Sequence, residues 1–577
     1  MKRIIIISLI LIFAVMLIAD QREDLQFAIG LYRDKNYELA KVELNKFLTN
    51  YPQSKVEADI KFLLGNIYLA EEDHKNAEKY FNELYATSSH PAIRAEVALG
   101  LGQSRYFLNE YKQARTVFKK FVSDYSDNQL AWKAYYYLGK IDFIQNNFDS
   151  ALSNLENALS LDHRTIILSA LLELRIAQNK LVDLDRVAED IIQKPDSENK
   201  FRAILLYHNY NLSHGRTDKI FSVGFDIIPS TSQYYKKYNL ILGTAFYEAG
   251  RFDEALDRLK KLTSEKAQYY SALCYYELHN EKKAKNILNK LVNSTDDQIS
   301  SNSVFYLAKI DDNIELLQKF IDDNPNHIFT PVAYYQLGYN SFKRNDFSNS
   351  LSFFASARNS GNAIGDESYQ SIKEKIFYLI AESNFLINKK TDALKAYELY
   401  LSLFSHGDFA DEANFKLGLI NFQYDKHDIS ETYFNKVKDQ YINSEKVGMS
   451  NYYLGEIHFE KGDYSNALRY YQDALGGVCD VGFTWERIGH IHYFNKNFDA
   501  ARKSVGNIPS DTKYLFDRFL LKGNIEFAER NYSKALEAYA FAADHTGNST
   551  QEEAVLSRKA WTLYQLKRFD EASRLYS

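Results

Sequence analysis

Proline is scarce in this chain, with 7 residues in 577, and cysteine scarcer still, with 2. So few prolines, with only 24 glycines, exclude a linker-rich or collagen-like polypeptide and argue against a chain built of many β-turns. Cys274 and Cys479 lie 205 residues apart, which excludes a disulfide framework, and two cysteines alone do not make a structural zinc site. Clusters of lysine and arginine are also missing. Formal net charge is −6, and −8 once residues 1–19, which carry only Lys2 and Arg3, are set aside. Phosphate neutralisation needs clustered cations, so nucleic acid is not expected as a partner. No P-loop, H-E-x-x-H, G-x-S-x-G or strand-borne G-x-G-x-x-G occurs. His490 and His492 are two apart, so on a helix they point about 200° apart and share no metal. Neither catalysis nor any cofactor or metal is expected.

One long apolar run exists. Residues 4–19 are apolar except for Ser8, preceded by Met1-Lys2-Arg3 and followed by an abrupt polar return at Asp20. As a helix the run reaches about 24 Å, short of a roughly 30 Å hydrocarbon core. A cleaved signal peptide over residues 1–19 is expected, with Leu17 and Ala19 at the −3 and −1 positions of the cleavage site. An uncleaved N-terminal anchor is the alternative. No cysteine follows the run, so a lipoprotein anchor is not expected. Either reading places the chain outside the cytoplasm, periplasmic or secreted, with no integral membrane domain beyond that anchor.

What is abundant is aromatic: 44 Tyr and 38 Phe. Their placement follows a register. A small residue is followed twelve positions later by another in thirteen pairs, from Ala28/Ala40, Gly65/Ala77 and Gly102/Ala114 to Gly523/Ala535 and Ala560/Ala572. The first member is always Gly or Ala, the second Ala or Ser, and starts are mostly 34 or 37 apart. An aromatic stands four after the first anchor in twelve of the thirteen, and another recurs nine after it, at a polar turn such as N-Y, D-F or R-F. Residues 451–476 show the unit whole: two short amphipathic helices joined at Gly462-Asp463, with Gly455 and Ala467 one in each helix. A helical Gly costs about 1 kcal/mol relative to Ala, and close approach of the paired helices is the reason expected for it. Gaps in the register leave room for three degenerate units, expected near Leu174, His208 and Ala308, for about sixteen in all.

This pattern resembles the tetratricopeptide repeat over nearly the whole chain after residue 19. The resemblance implies an all-α fold, a right-handed superhelix of about sixteen helix-turn-helix repeats with a concave inner groove. The 37-residue variant, as at residues 47–65 and 320–338, is similar to repeats of the outer-membrane β-barrel assembly lipoprotein and the Tol-Pal coordinator. The chain departs from both in lacking the lipoprotein cysteine and in having more repeats. The division expected is residues 20–194 as an N-terminal array, 195–235 as a degenerate repeat or hinge, and 236–577 as a C-terminal array. The chain stops inside a helix, so that array is expected to be incomplete. Residues 359–368 are expected to be an inserted loop.

In the family, residues three before, one after and four after the anchor face the groove. Here these include Tyr136, Lys140 and Phe143; Tyr335, Tyr339 and Phe342; Tyr378, Glu382 and Phe385; Phe415, Leu419 and Phe422; and Tyr452, Glu456 and Phe459. Such rings serve either as a peptide-binding surface or as packing between helices. The Lys/Asn carboxylate clamp of chaperone-binding relatives is present only as pieces, at Asn66 and Lys140, so recognition of a chaperone C-terminus is not implied. The expectation is a non-catalytic exported scaffold binding protein or peptide partners in the bacterial envelope, in outer-membrane assembly or envelope organisation. The alternative is a docking arm of a longer cell-wall enzyme with its catalytic domain beyond residue 577.

Overall fold

The same three-residue bond pattern closes hairpin after hairpin in the computed structural model, which describes residues 19–87, 93–477 and 479–576. At the turn after residues 94–107, Asn109 sits at φ +62°, its N–H bonds the Tyr106 carbonyl (3.0 Å), and Glu110 N–H bonds the Arg105 carbonyl (2.9 Å). That is the Schellman ending, which satisfies carbonyls left over at a helix C-terminus. The positive-φ residue stands seven after the anchor in all thirteen registered units, from Lys35 to Lys567. Thirty-two helices result, pairing in sequence into sixteen hairpins, and no strand occurs among the described residues. The expected signal segment, up to residue 18, lies outside the described residues.

The helices form two units, Met1–Ile287 and Leu288–Ser577, with the boundary falling in the helix Glu281–Leu291. Each is an α-solenoid of stacked hairpins in which an element packs on its sequence neighbours. In the first unit the core runs through Phe81, Phe118, Leu155, Leu172 and Leu242. In the second it runs through Phe320, Phe354, Tyr397, Phe434, Tyr471 and Tyr539.

The anchor glycines serve a purpose different from the one expected. In eight hairpins a Cβ on the anchor would lie 2.4–2.9 Å from the side chain sixteen residues on: Gly65 under Phe81, Gly102 under Phe118, Gly455 under Tyr471, and so on. The glycine makes room for a buried ring or leucine, one turn beyond the second small residue. Backbone proximity at the crossing contributes as well, since Ser430 Oγ donates to the Gly418 carbonyl at 2.8 Å. The aromatics four and nine after the anchor meet across the turn in nine hairpins, with ring centroids 5.2–6.3 Å apart.

Two expectations are corrected. The positive-φ residues Asn179, Gly215 and Asp312 place the degenerate anchors at Leu172, His208 and Phe305, so Leu174 and Ala308 were out of register. One of these hairpins exchanges bulk across the same contact. Leu172 replaces the small anchor where the residue sixteen on is Ala188. The second correction concerns residues 359–368. The helix Phe347–Ile364 continues through most of the expected loop, because Gly361 lets the Tyr369 ring lie against it. The chain turns only at Gly365 (φ +69°), and the Asp366 side chain caps the next helix by accepting from Ser368 N–H at 2.8 Å.

Candidate functional site

Every one of the fifteen groove residues named above is buried or half-buried. Tyr136 lies edge-on to Tyr137, and Phe143 packs on Phe148. Tyr335 meets Tyr339 and Phe354, while Phe342 meets Phe347 edge-on. Tyr378 stacks on Phe409 at 4.4 Å. Phe415 and Phe422 both contact Tyr453, and Tyr452 contacts Tyr471. Burial raises the hydroxyl pKa of Tyr136, Tyr335, Tyr378 and Tyr452, so these phenols stay protonated at neutral pH.

The polar candidates form a device the sequence reading missed. Glu382 and Glu456 stand one after their anchors and are 9% and 8% exposed. Glu456 accepts from the Tyr471 hydroxyl at 2.5 Å and, bidentately, from Arg487 of the next hairpin at 2.8 and 3.0 Å. Glu382 accepts from the Tyr397 hydroxyl and from Lys416 of the next hairpin at 3.0 Å. Lys416 and Arg487 also lie over Phe385 and Phe459, at 4.3 and 5.3 Å from the ring centres. A third version replaces the carboxylate with an amide: Tyr539 donates to Asn524 at 2.9 Å, and Arg558 bonds that hydroxyl. Burial first, then the neighbouring carboxylate, pushes the Tyr397 and Tyr471 hydroxyls far above the usual phenol range, which keeps them as donors. Three of the four hairpins with tyrosine sixteen after the anchor carry Glu382, Glu456 or Asn524 one after it; where Phe stands there, the partner is Asn66, Gln103, Tyr339 or Leu419. That pairing was the available signal.

Lys140 belongs to a different arrangement. It donates to Glu173 at 2.7 Å, and Glu173 also takes Arg202. Glu173 lies at the edge of an open groove of about 560 Å³ across three successive first helices, Thr165–Gln178, Glu198–Ser213 and Tyr235–Glu248. Its floor is Leu205 with Leu206, and Leu240 with Ile241. Leu205 and Leu240 stand three before the anchors His208 and Gly243, where other hairpins carry Tyr136, Tyr335, Tyr378 and Tyr452. Here leucines stand in place of those rings, beside the open space. The degenerate register had hidden this.

No group of three or more His, Cys, Asp or Glu is placed to hold a metal ion among the described residues. Cys274 is fully buried and its thiol pKa is pushed up to about 12 by burial, so it is not a thiolate at neutral pH. No described helix is long and apolar enough to cross a membrane.

Family models described as tetratricopeptide repeat match residues 58–88, 99–162 and 266–294. No curated protein matches the chain. Among solved structures, the APC/C hetero-tetramer Cut9-Hcn1 is 16% identical, covering 96% of this chain and 99% of that one, with a TM-score of 0.30. Yeast Tom70 is 15% identical over 89% of this chain and 96% of that one, with a TM-score of 0.28. Pseudomonas aeruginosa pilF is 20% identical over 35% and 88%, with a TM-score of 0.30. With the three family matches and a hairpin geometry repeated sixteen times, the chain is a tetratricopeptide-repeat protein.

Proposed function

We propose that the protein is an exported scaffold that holds protein partners along its first-helix face in the bacterial cell envelope, serving outer-membrane assembly or envelope organisation and catalysing nothing itself. The observation that carries the binding role is the open aliphatic groove between three successive first helices, at positions where several other hairpins carry a tyrosine. Half-buried Tyr335, Tyr378 and Tyr452 add amphipathic edges along the same face of the second unit. The export half of the reading rests on the apolar stretch at residues 4–19 behind a basic start. The acidic balance of the chain supports a protein partner over nucleic acid.

The test is in-cell crosslinking with a photoreactive residue at Asn209 or Tyr378, combined with fractionation and mass measurement of the N-terminus. Envelope fractionation and discrete protein adducts are expected. A chain retained in the cytoplasm ends the export reading; crosslinks to no protein at either position end the scaffold reading.

A further inference from the structure

Three positions of the groove repeat in two consecutive hairpins. Counting from His208 and Gly243, the residues six before are Arg202 and Lys237, and those three before are Leu205 and Leu240. Those two before are Leu206 and Ile241. The pattern is a cation beside two aliphatic residues, given twice, one packed helix apart. Neither hairpin lies within a segment matched by the family models.

The charges are unbalanced. Lys140, Arg202 and Lys237 face a single carboxylate, Glu173, which already accepts from two of them. Lys237 is exposed and adds a further positive charge on a chain whose net charge is −6. Asn209, also exposed, offers an amide that can both donate to and accept from a peptide backbone. We infer that this groove is a docking site for an internal acidic–aliphatic segment of a partner protein, bound extended with two aliphatic side chains over Leu205 and Leu240 and its carboxylates toward Arg202 and Lys237. The inference rests on the scaffold reading above and names what that scaffold recognises.

Spacing sets the form of the segment. Packed helices stand about 8–10 Å apart. A polyproline-II segment returns every third side chain to one side after about 9 Å. Two aliphatic residues three apart therefore fall on the two leucine sites, with acidic residues between and after them reaching the cations.

The experiment uses the full chain and a fluorescein-labelled peptide carrying two leucines three apart among glutamates, with binding read by anisotropy. Saturable binding is expected, absent for the same peptide with lysines in place of glutamates. Leu240→Tyr installs the ring other hairpins carry there, and is expected to abolish binding while leaving circular dichroism unchanged. Lys237→Glu touches no ion pair and is expected to weaken binding about tenfold. Equal binding of the lysine peptide, or unchanged binding to Leu240→Tyr, overturns the assignment. So does saturable binding of laurate with none of the peptide, which assigns the groove to a free amphiphile. Failure of the peptide while crosslinks at Tyr378 still capture protein removes this site and leaves the scaffold reading standing.

Discussion

Exchange of bulk between an anchor and the residue sixteen beyond it makes a reciprocal prediction in the hairpin Arg94–Phe107/Tyr111–Asp124. A Cβ on Gly102 would lie 2.5, 2.7 and 2.9 Å from three ring atoms of Phe118, a fully buried side chain. That ring also stacks on Tyr137 of the next hairpin, at 5.3 Å and 4° between planes, so it has little freedom to retreat. Gly102→Leu is expected to cost about 3 kcal/mol, the upper part of the usual overpacking range. Phe118→Ala leaves a cavity costing about 3–5 kcal/mol. If the two were independent, the double substitution would cost about 6–8 kcal/mol. The natural Leu172/Ala188 hairpin says they are not. Gly102→Leu/Phe118→Ala is expected to recover up to about 3 kcal/mol as coupling between contacting residues. Stacked repeats open locally, so the measurement is peptide-resolved hydrogen exchange over residues 94–124 rather than a whole-chain midpoint. A double variant within about 0.5 kcal/mol of the sum of the singles refutes the exchange of bulk.

Arg530 holds a left-handed turn (φ +68°) that suits glycine, and Arg530→Gly is expected to raise local stability by about 0.5–1 kcal/mol, read by exchange at residues 523–535. Loss of protection there would sink the idea. Glu456→Gln keeps the shape but removes the charge that Arg487 and Tyr471 share, and is expected to cost about 1–3 kcal/mol at the joint between those hairpins. A neutral outcome in the same exchange measurement would show that the carboxylate adds nothing beyond packing. Burial, then the Glu486 carboxylate, raises the Asp517 pKa to about 6, with His490 and Arg487 partly opposing. The native state therefore binds the proton more tightly than the unfolded chain. Its contribution is full below about pH 4 and is lost as pH rises through about 6. Asp517→Asn is expected to stabilise the neighbouring hairpins by about 1 kcal/mol at pH 7, after allowing for solvent screening, and not at pH 4. Equal effects at both pH values would refute it.

The hairpins were legible because their requirements are local. Small anchors, a polar turn and paired aromatics recur in one register that needs no tertiary knowledge. Two of the three degenerate hairpins were placed two or three residues off because small residues were the search key, whereas the feature kept without exception is the left-handed turn at Asn179, Gly215 and Asp312. The ring above each glycine was not legible, since Phe118 or Leu155 reads like any other core residue until the partner helix is docked. For the candidate site, aromatic abundance drew the reading to positions such as Tyr378 and Phe415, which the fold buries largely in packing. Open space occurs instead at Leu205 and Leu240, next to the stretch where the register was blurred.

The buried glutamate–tyrosine–cation joints do not occur at every step of the second unit. They link the hairpins anchored at 381 and 418 and at 455 and 489, with the amide version between those at 523 and 560. The intervening steps carry more exposed pairs, Lys461 with Asp428 and Arg502 with Glu529, alongside half-buried ones such as Lys446 with Glu412. Salt screens exposed pairs far more than buried ones. Rising ionic strength therefore weakens the exposed pairs while leaving the buried joints, and the apolar packing between hairpins, largely unchanged.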